Sequence, residues 1–157
     1  MTPAVFLKKA DFSDIKFLWR LRNQKYVYRY SRNPKPVVWS EHIKWVVPAL
    51  LDLTEKSLYI IKVKGVRAGQ IRFDKQDKET TEVSISLCKK FHGQGIATEA
   101  FKKAVRMLKR TKKARHLIAE IHKDNTASLN LFKKLGFKLK NKKNVWRVYG
   151  KRNGEND

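Results

Sequence analysis

The chain has 157 residues and 41% hydrophobic content, enough to bury one core without disulfides or metal. Its 37 Lys and Arg against 14 Asp and Glu give a formal net charge of +23, a field that draws nucleic acid, anionic membranes or phosphorylated small molecules. No apolar run reaches the roughly 18 residues of a membrane span, the start MTPAVFLKKADF lacks the layout of a signal peptide, and Cys88 is the single cysteine. A cytoplasmic protein with no membrane insertion and no metal is the expectation. Much of the basic excess is lysine scattered over many segments, the pattern of a solvated coat.

In chain order, residues 4 to 9 (AVFLKK) predict a first strand. DFSD (11–14) then supplies capping side chains for a helix beginning near residue 12, with Ile15, Phe17, Leu18 and Leu21 on one face. Pro34 and Pro36 interrupt the chain. A second helix follows from Ser40, apolar at Ile43, Val46, Val47, Leu50 and Leu51, with a kink expected at Pro48. SLYIIKVKG and VRAGQIRFD (57–74) read as two strands around a Lys64-Gly65 hairpin turn, and TTEVSISL (80–87) as a third, alternating Val83, Ile85 and Leu87 with Glu82, Ser84 and Ser86.

The period then changes from two to 3.6. Ile96, Ala97, Ala100, Phe101, Ala104, Val105 and Leu108 form a helix stripe ended by KRTKKAR. HLIAEIH (116–122) predicts a strand, TASLNLFKKL (126–135) a helix stopped by Gly136, and FKLKN and VWRVYGK two closing strands. The layout is β-α-α-β-β-β-α-β-α-β-β, read as one domain over residues 1–151 with a disordered polar tail at 152–157.

Between the third of the central strands and the long helix lies FHGQGIATEA (91–100). Gly93 and Gly95 stand where backbone N–H groups and a helix N-terminus converge, a place that suits a phosphate. The stretch has neither the three glycines of a dinucleotide loop nor the Gly-Lys-Ser/Thr of a P-loop, so by itself it reads equally as a tight turn. A second stretch, DNTASLNLFKKLGF (124–137), spaces its residues as N-x-x-S-x-x-L-F-x-K-x-G-F.

Together with H-G-Q-G-I-A about 30 residues upstream, this pattern resembles the GCN5-related N-acetyltransferase (GNAT) family, whose acetyl-CoA signature is Q/R-x-x-G-x-G/A followed by an Asn-led helix. The resemblance implies an α+β fold of α/β/α layers, with a mixed, mostly antiparallel sheet splayed between its fourth and fifth strands. It implies acetyl-CoA as co-substrate. The loop His92, Gly93, Gln94, Gly95, Ile96 and Ala97 would hold the pyrophosphate, Asn125 and Ser128 would serve the pantetheine arm, and Ser86 and Leu87 would pair with its amides. A backbone N–H near Leu87 would polarise the thioester carbonyl. His92 stands where the family has Arg or Gln.

Acetyl transfer to an amine needs a proton acceptor. The resemblance offers Glu120, at the spacing before Asn125 used by ribosomal-protein-acetylating members, and Glu82, where other members keep theirs; each is also readable as an ordinary solvated glutamate. The family's acidic tyrosine is Phe132 here, which leaves Tyr149, Tyr59, water or an unaided thiolate. Cys88 adjoins the expected thioester site but reads as a structural thiol.

On the acceptor side, LRNQKYVYRYS followed by WSEHIKW resembles a branch with a W-R-N…E-H-x-x-W pattern, found in bacterial amino-sugar N-acetyltransferases of the pseudaminic-acid-pathway type. Leu21 replaces its first Trp. In that reading Arg22, Asn23, Tyr30, His42 and Trp45 line a pocket for a nucleotide-linked amino sugar, whose primary amine attacks acetyl-CoA directly in a ternary complex, and the enzyme is a monomer or homodimer. Packing of the tryptophans against the sheet is the competing reading. Acetylation of a protein N-terminus or lysine is the alternative activity, and a basic nucleic-acid-binding module a distant one, without a helix-turn-helix, RNP or zinc pattern.

Overall fold

A computed structural model describes residues 2–111 and 114–153. The strands are β1 (Val5–Lys9), β2 (Lys56–Val63), β3 (Val66–Lys75), β4 (Thr80–Leu87), β5 (His116–His122), β6 (Lys138–Lys143) and β7 (Trp146–Arg152). The helices are α1 (Ile15–Arg22), α2 (Lys25–Tyr28), α3 (Trp39–Leu50), α4 (Ile96–Thr111) and α5 (Thr126–Lys134). The strands form one sheet in the order β1-β2-β3-β4-β5-β7-β6.

Local chemistry explains most of these boundaries. The Asp11 carboxylate accepts from the Ser13 N–H, and Asp14 returns a bond to the Asp11 N–H, a reciprocal cap that opens the single 3-10 turn before α1. Lys64 and Gly65 both have positive φ, the two-residue turn whose twist matches a β2-β3 hairpin. Asn125 caps α5 by accepting from the Ser128 N–H at 3.3 Å.

Two cores sandwich the sheet. On one face Ile61, Ile71, Phe73, Leu117, Ala119 and Ile121 pack against Ile96, Phe101, Val105 of α4 and Phe132 of α5. On the other, Leu58 and Ile60 pack against Leu18 of α1 and Val46 and Ala49 of α3. This second core covers only the β2 side of its face, so the β3-β4-β5 part is left for a cleft.

The predicted order of elements is the observed one, with α2 as an additional short helix. Pro48 lies inside the last turn of α3. Of the expected tail, Arg152 completes β7 opposite His116, and the Asn153 amide donates to the Ala114 carbonyl at 3.0 Å. Disorder is therefore the wrong description of these two residues; 154–157 lie outside the described residues. No helix among the described residues is long and apolar enough to cross a membrane.

Candidate active site

The sheet opens between β4 and β5. Their parallel pairing covers only Thr80–Glu82 with His116–Ile118, and beyond it β4 continues to Leu87 while β5 runs to His122. Beyond Glu82, β4 keeps its antiparallel partner β3. Its other edge, with backbone N–H and C=O groups, faces the split.

At the end of that edge, the Cys88 N–H donates to the Ala68 carbonyl on β3 at 2.8 Å. In extended chain, successive residues point their backbone groups to opposite sides, so Leu87 aims its N–H and C=O at the split. The Leu87 carbonyl meets His92 Nε2 at 3.0 Å. The histidine ring thus holds the start of the glycine loop against the end of β4, while its N–H neighbour at Leu87 stays available. Gly69 makes the close approach of β3 to this point: a Cβ there would lie 2.2 Å from the Ser86 carbonyl oxygen.

The loop itself carries positive φ at Gly93 (72°) and Gly95 (77°) and runs directly into the first turn of α4. Nothing lies within 4 Å of the Cβ position at Gly93, so a ligand has open access to the backbone. Alternating left-handed residues ahead of a helix N-terminus turn successive N–H groups toward one point, a donor set suited to a pyrophosphate. Gln94 spends its amide on the Lys90 carbonyl at 2.8 Å, within the loop. The residues present therefore fit the pyrophosphate of an acyl-CoA. Tyr26 of α2 braces the same loop, its hydroxyl accepting from the Lys89 N–H at 3.0 Å and its ring edge-on to His92.

Below the loop a cleft of about 890 Å³ brings together Ser84, Ser86, Glu82, Glu120, Asn125 and Ser128 with the helical side of the molecule. Strand parity explains the polar lining. Register pairs Gln70 with Ser86, Arg72 with Ser84 and Asp74 with Glu82, so all six side chains share one face. Glu120 faces the same way from β5. Burial and the nearby Asp74 carboxylate push the Glu82 carboxyl above its ordinary range, against the pull of Arg72, Arg32 and Lys56. Glu120 is ion-paired to the Arg32 guanidinium, which also lies over the Trp146 ring at 4.9 Å. Arg72 lies over Trp45 at 5.3 Å and pairs with Asp74 at 3.0 Å.

The other expected acceptor residues divide. Tyr30 and Trp45 line the cleft, and the Tyr30 ring rests near His122. Arg22 reaches the cleft wall, yet its guanidinium donates to the Asn33 carbonyl at 2.9 Å and to Lys35 and Ser31. Asn23 does not line the cleft: its amide donates to the Val37 carbonyl at 2.9 Å and accepts from the Val37 N–H at 2.8 Å, clamping the 31–37 loop. His42 borders the cleft but is buried, with Nε2 2.9 Å from the Ile15 carbonyl, and burial lowers its proton affinity. It joins α3 to α1 rather than presenting a free imidazole.

Tyr149 is turned away. Its register partner Ala119 places it on the α4-α5 face, buried in the core with its ring under Lys133. Tyr59 packs against the same core from β2. Neither tyrosine stands among the cleft residues, because strand parity sends them to the opposite face from Glu120. Cys88 is half-buried beside the loop, and burial raises its thiol above the ordinary value.

Sequence reasoning passed over Arg32, Lys56, Asp74, Arg72 and Trp146. The alternation Gln70-Arg72-Asp74, in phase with Ser84-Ser86, was the available signal for Arg72 and Asp74: a strand pair with one polar and one apolar face must open that polar face to water or ligand.

A half-split sheet with a free strand edge, an anion-binding loop at its end and a carboxylate-lined cleft alongside defines an enzyme that lays an acyl-CoA beside an acceptor. The chain belongs to the GNAT acetyltransferase family, whose domain matches residues 5–138, and it is an acetyl-CoA-dependent N-acetyltransferase. Among solved structures, a domain from Methanocaldococcus jannaschii superposes with a TM-score of 0.84 at 19% identity, covering 96% of this chain and 99% of that one. A ribosomal L7/L12 alpha-N-protein acetyltransferase in complex with coenzyme A gives 0.81 at 20% identity, covering 94% and 93%. Spermidine N-acetyltransferase from Vibrio cholerae, in complex with CoA and spermine, gives 0.82 at 12% identity, covering 96% of each. At these identities the likeness shows a shared fold. No curated protein matches the chain in sequence.

Proposed function

We propose that the protein acetylates the primary amine of a nucleotide-linked amino sugar, by direct attack on acetyl-CoA in a ternary complex. The observation that carries this reading is the pairing, within one cleft, of carboxylates with guanidinium-aromatic pairs. Glu82 and Glu120 suit an amine. Arg32 over Trp146 and Arg72 over Trp45 suit a flat, anionic nucleotide moiety. The charge of +23 adds attraction for a diphosphate and repels a basic peptide.

In this mechanism acetyl-CoA supplies an activated acetyl thioester. The amides of residues 92–97 hold its pyrophosphate, and the Asn125 amide group, whose oxygen is engaged by the Ser128 N–H, offers its NH2 donors to the pantetheine arm. The Leu87 N–H donates to the thioester carbonyl as negative charge develops there. Glu82 takes the proton from the incoming ammonium, directly or through one water, and its raised proton affinity suits that task. Glu120, held by Arg32, orients the acceptor. CoA would leave as a thiolate, a tolerable leaving group with an ordinary thiol pKa of about 8.5, and through water it would take up the second proton, which the attacking nitrogen sheds as the amide forms.

The test is an acetylation screen with UDP- and CMP-linked amino sugars, aminoglycosides, polyamines and N-terminal peptides, read by CoA release. Preferred turnover of a sugar nucleotide supports the reading. Preferred turnover of a peptide or polyamine replaces it with another acceptor class.

A further inference from the structure

The acidic residues of this protein are unevenly placed. Residues 125–153, which form α5, β6 and β7, carry nine Lys and Arg and not one Asp or Glu. The four carboxylates of the catalytic cleft, Glu41, Asp74, Glu82 and Glu120, all belong to earlier elements. A uniform coat would not leave these three elements without a single negative charge.

The structure gives this excess a shape. β6 is the edge strand of the sheet, and every residue from Lys138 to Lys143 is exposed. A bulge lies between Leu139 and Asn141, and register with β7 sets Lys138, Lys140 and Lys143 on one face of this edge and Lys142 on the other. Beside the strand lies a second pocket of about 400 Å³, lined by Lys138, Lys140, Arg152 and His116, with no carboxylate among its described lining residues. Lys151 completes it from a buried position, its Nζ donating to the Leu135 carbonyl at 3.1 Å. The two pockets share no lining residue.

We propose that the β6 edge and this pocket form a docking surface for the phosphodiester backbone of a single-stranded nucleic acid, separate from the acetyltransfer site. Lys138, Lys140 and Lys143 on one face, with Arg152 at the pocket, offer cations to successive phosphates of one strand, and the pocket takes one phosphate deeper between Lys138, Lys140 and Arg152. Cations set along a strand edge beside a narrow pocket match phosphates in series along one chain better than headgroups spread over a plane. Among the described lining residues there is no Phe, Tyr or Trp, and His116 is the one ring available to a base, so the surface reads chiefly the backbone. Docking there would hold the enzyme on a nucleic-acid-rich particle with its cleft open.

Fluorescence anisotropy of the full chain with a labelled mixed-sequence 20-nucleotide RNA tests this. The proposal expects a Kd on the order of micromolar at low salt. With about four phosphates neutralised, log K falls against log salt with a slope of about −2.8. The pair Lys138→Glu and Lys140→Glu should weaken binding by tenfold or more and reduce the slope to about −1.4. The control pair Lys64→Glu and Lys78→Glu makes the same charge change on exposed turns elsewhere, and should weaken binding no more than about threefold, the long-range part that salt screens. All four positions are exposed, and CoA release should be unchanged in both pairs. Equal losses in the two pairs would overturn the proposal in favour of a diffuse coat. Binding to phosphatidylglycerol vesicles or polyglutamate that matches RNA in affinity and in sensitivity to the β6 pair would overturn it as well.

Discussion

Replacing Glu82 by Gln tests the proposed base, because it keeps the shape of the side chain and removes its proton chemistry. The carboxyl lies across from Asp74 in the β3-β4 ladder, with the Gln76 amide 3.4 Å from Oε2. An amine acceptor near neutral pH is mostly ammonium, so the step needs a base. At the lower end of the usual range such a base contributes about 100-fold, or about 2.7 kcal/mol of barrier at 1.36 kcal/mol per tenfold. Accordingly, kcat/KM at neutral pH should fall about 100-fold. Acetyl-CoA affinity should hold, since the glycine loop lies beyond the far end of β4.

The pH dependence gives a second readout. Glu82 binds its proton more tightly in the folded chain than in the unfolded one, so between the ordinary glutamate value and the raised folded value the native state holds more protons. Stability due to this group is therefore greatest below the ordinary value and declines as pH rises through that window. The Gln variant lacks this decline, so its stability relative to wild type should improve from acid to neutral pH in urea titrations. In CoA-release assays the wild-type kcat/KM should rise along an acid limb centred above the ordinary glutamate value, and the variant should lack that limb. A variant with wild-type kcat/KM and the same acid limb would refute Glu82 as the base.

Asp14 is fully buried and accepts from Lys8 at 2.7 Å, Arg67 at 2.8 Å and the Asp11 N–H at 2.9 Å. Asp14→Asn keeps the volume but loses the charge; because Lys8 and Arg67 are partly solvated, the cost should be about 2 kcal/mol, read as a lower urea midpoint. Burial raises this carboxyl, but its three hydrogen bonds outweigh burial and hold it below the ordinary range. The gap between wild type and variant should thus be full at neutral pH and close as pH falls through the depressed value. Gly95→Ala places a Cβ at φ 77° and 2.8 Å from Thr2 Oγ1, a side chain that can move aside. The left-handed conformation costs about 1 kcal/mol, and calorimetry should show acetyl-CoA binding weakened about fivefold as the loop relaxes from its anion-binding form.

The elements were legible wherever one residue pattern decides one structure. The 3.6-residue stripe from Ile96 to Leu108 has no competing reading, and Asn125 marks the start of α5 because its side chain can cap the helix. The proposed donor site rests on those same two stretches. The acceptor site was legible only in outline, since its residues are chosen by tertiary register. Tyr149 looks like a possible acid until Ala119 pairs with it and sends it into the core. Asn23 and His42 look like pocket residues, but the backbone of Val37 and the carbonyl of Ile15 claim their polar atoms. Arg32 reaches Glu120 through a fold of the 31–37 loop that Arg22 and Asn23 together hold, and no local spacing announces that arrangement.

Titration of acetyl-CoA into the full chain by calorimetry, paired with the Gly93→Ala and Gly95→Ala double variant, tests the donor site most directly. The account predicts one site per chain with a sub-millimolar Kd in the wild type and binding weakened about tenfold or more in the double variant, where two left-handed positions are penalised. Absence of sub-millimolar binding to the wild type, or equal affinity in the two proteins, would contradict it.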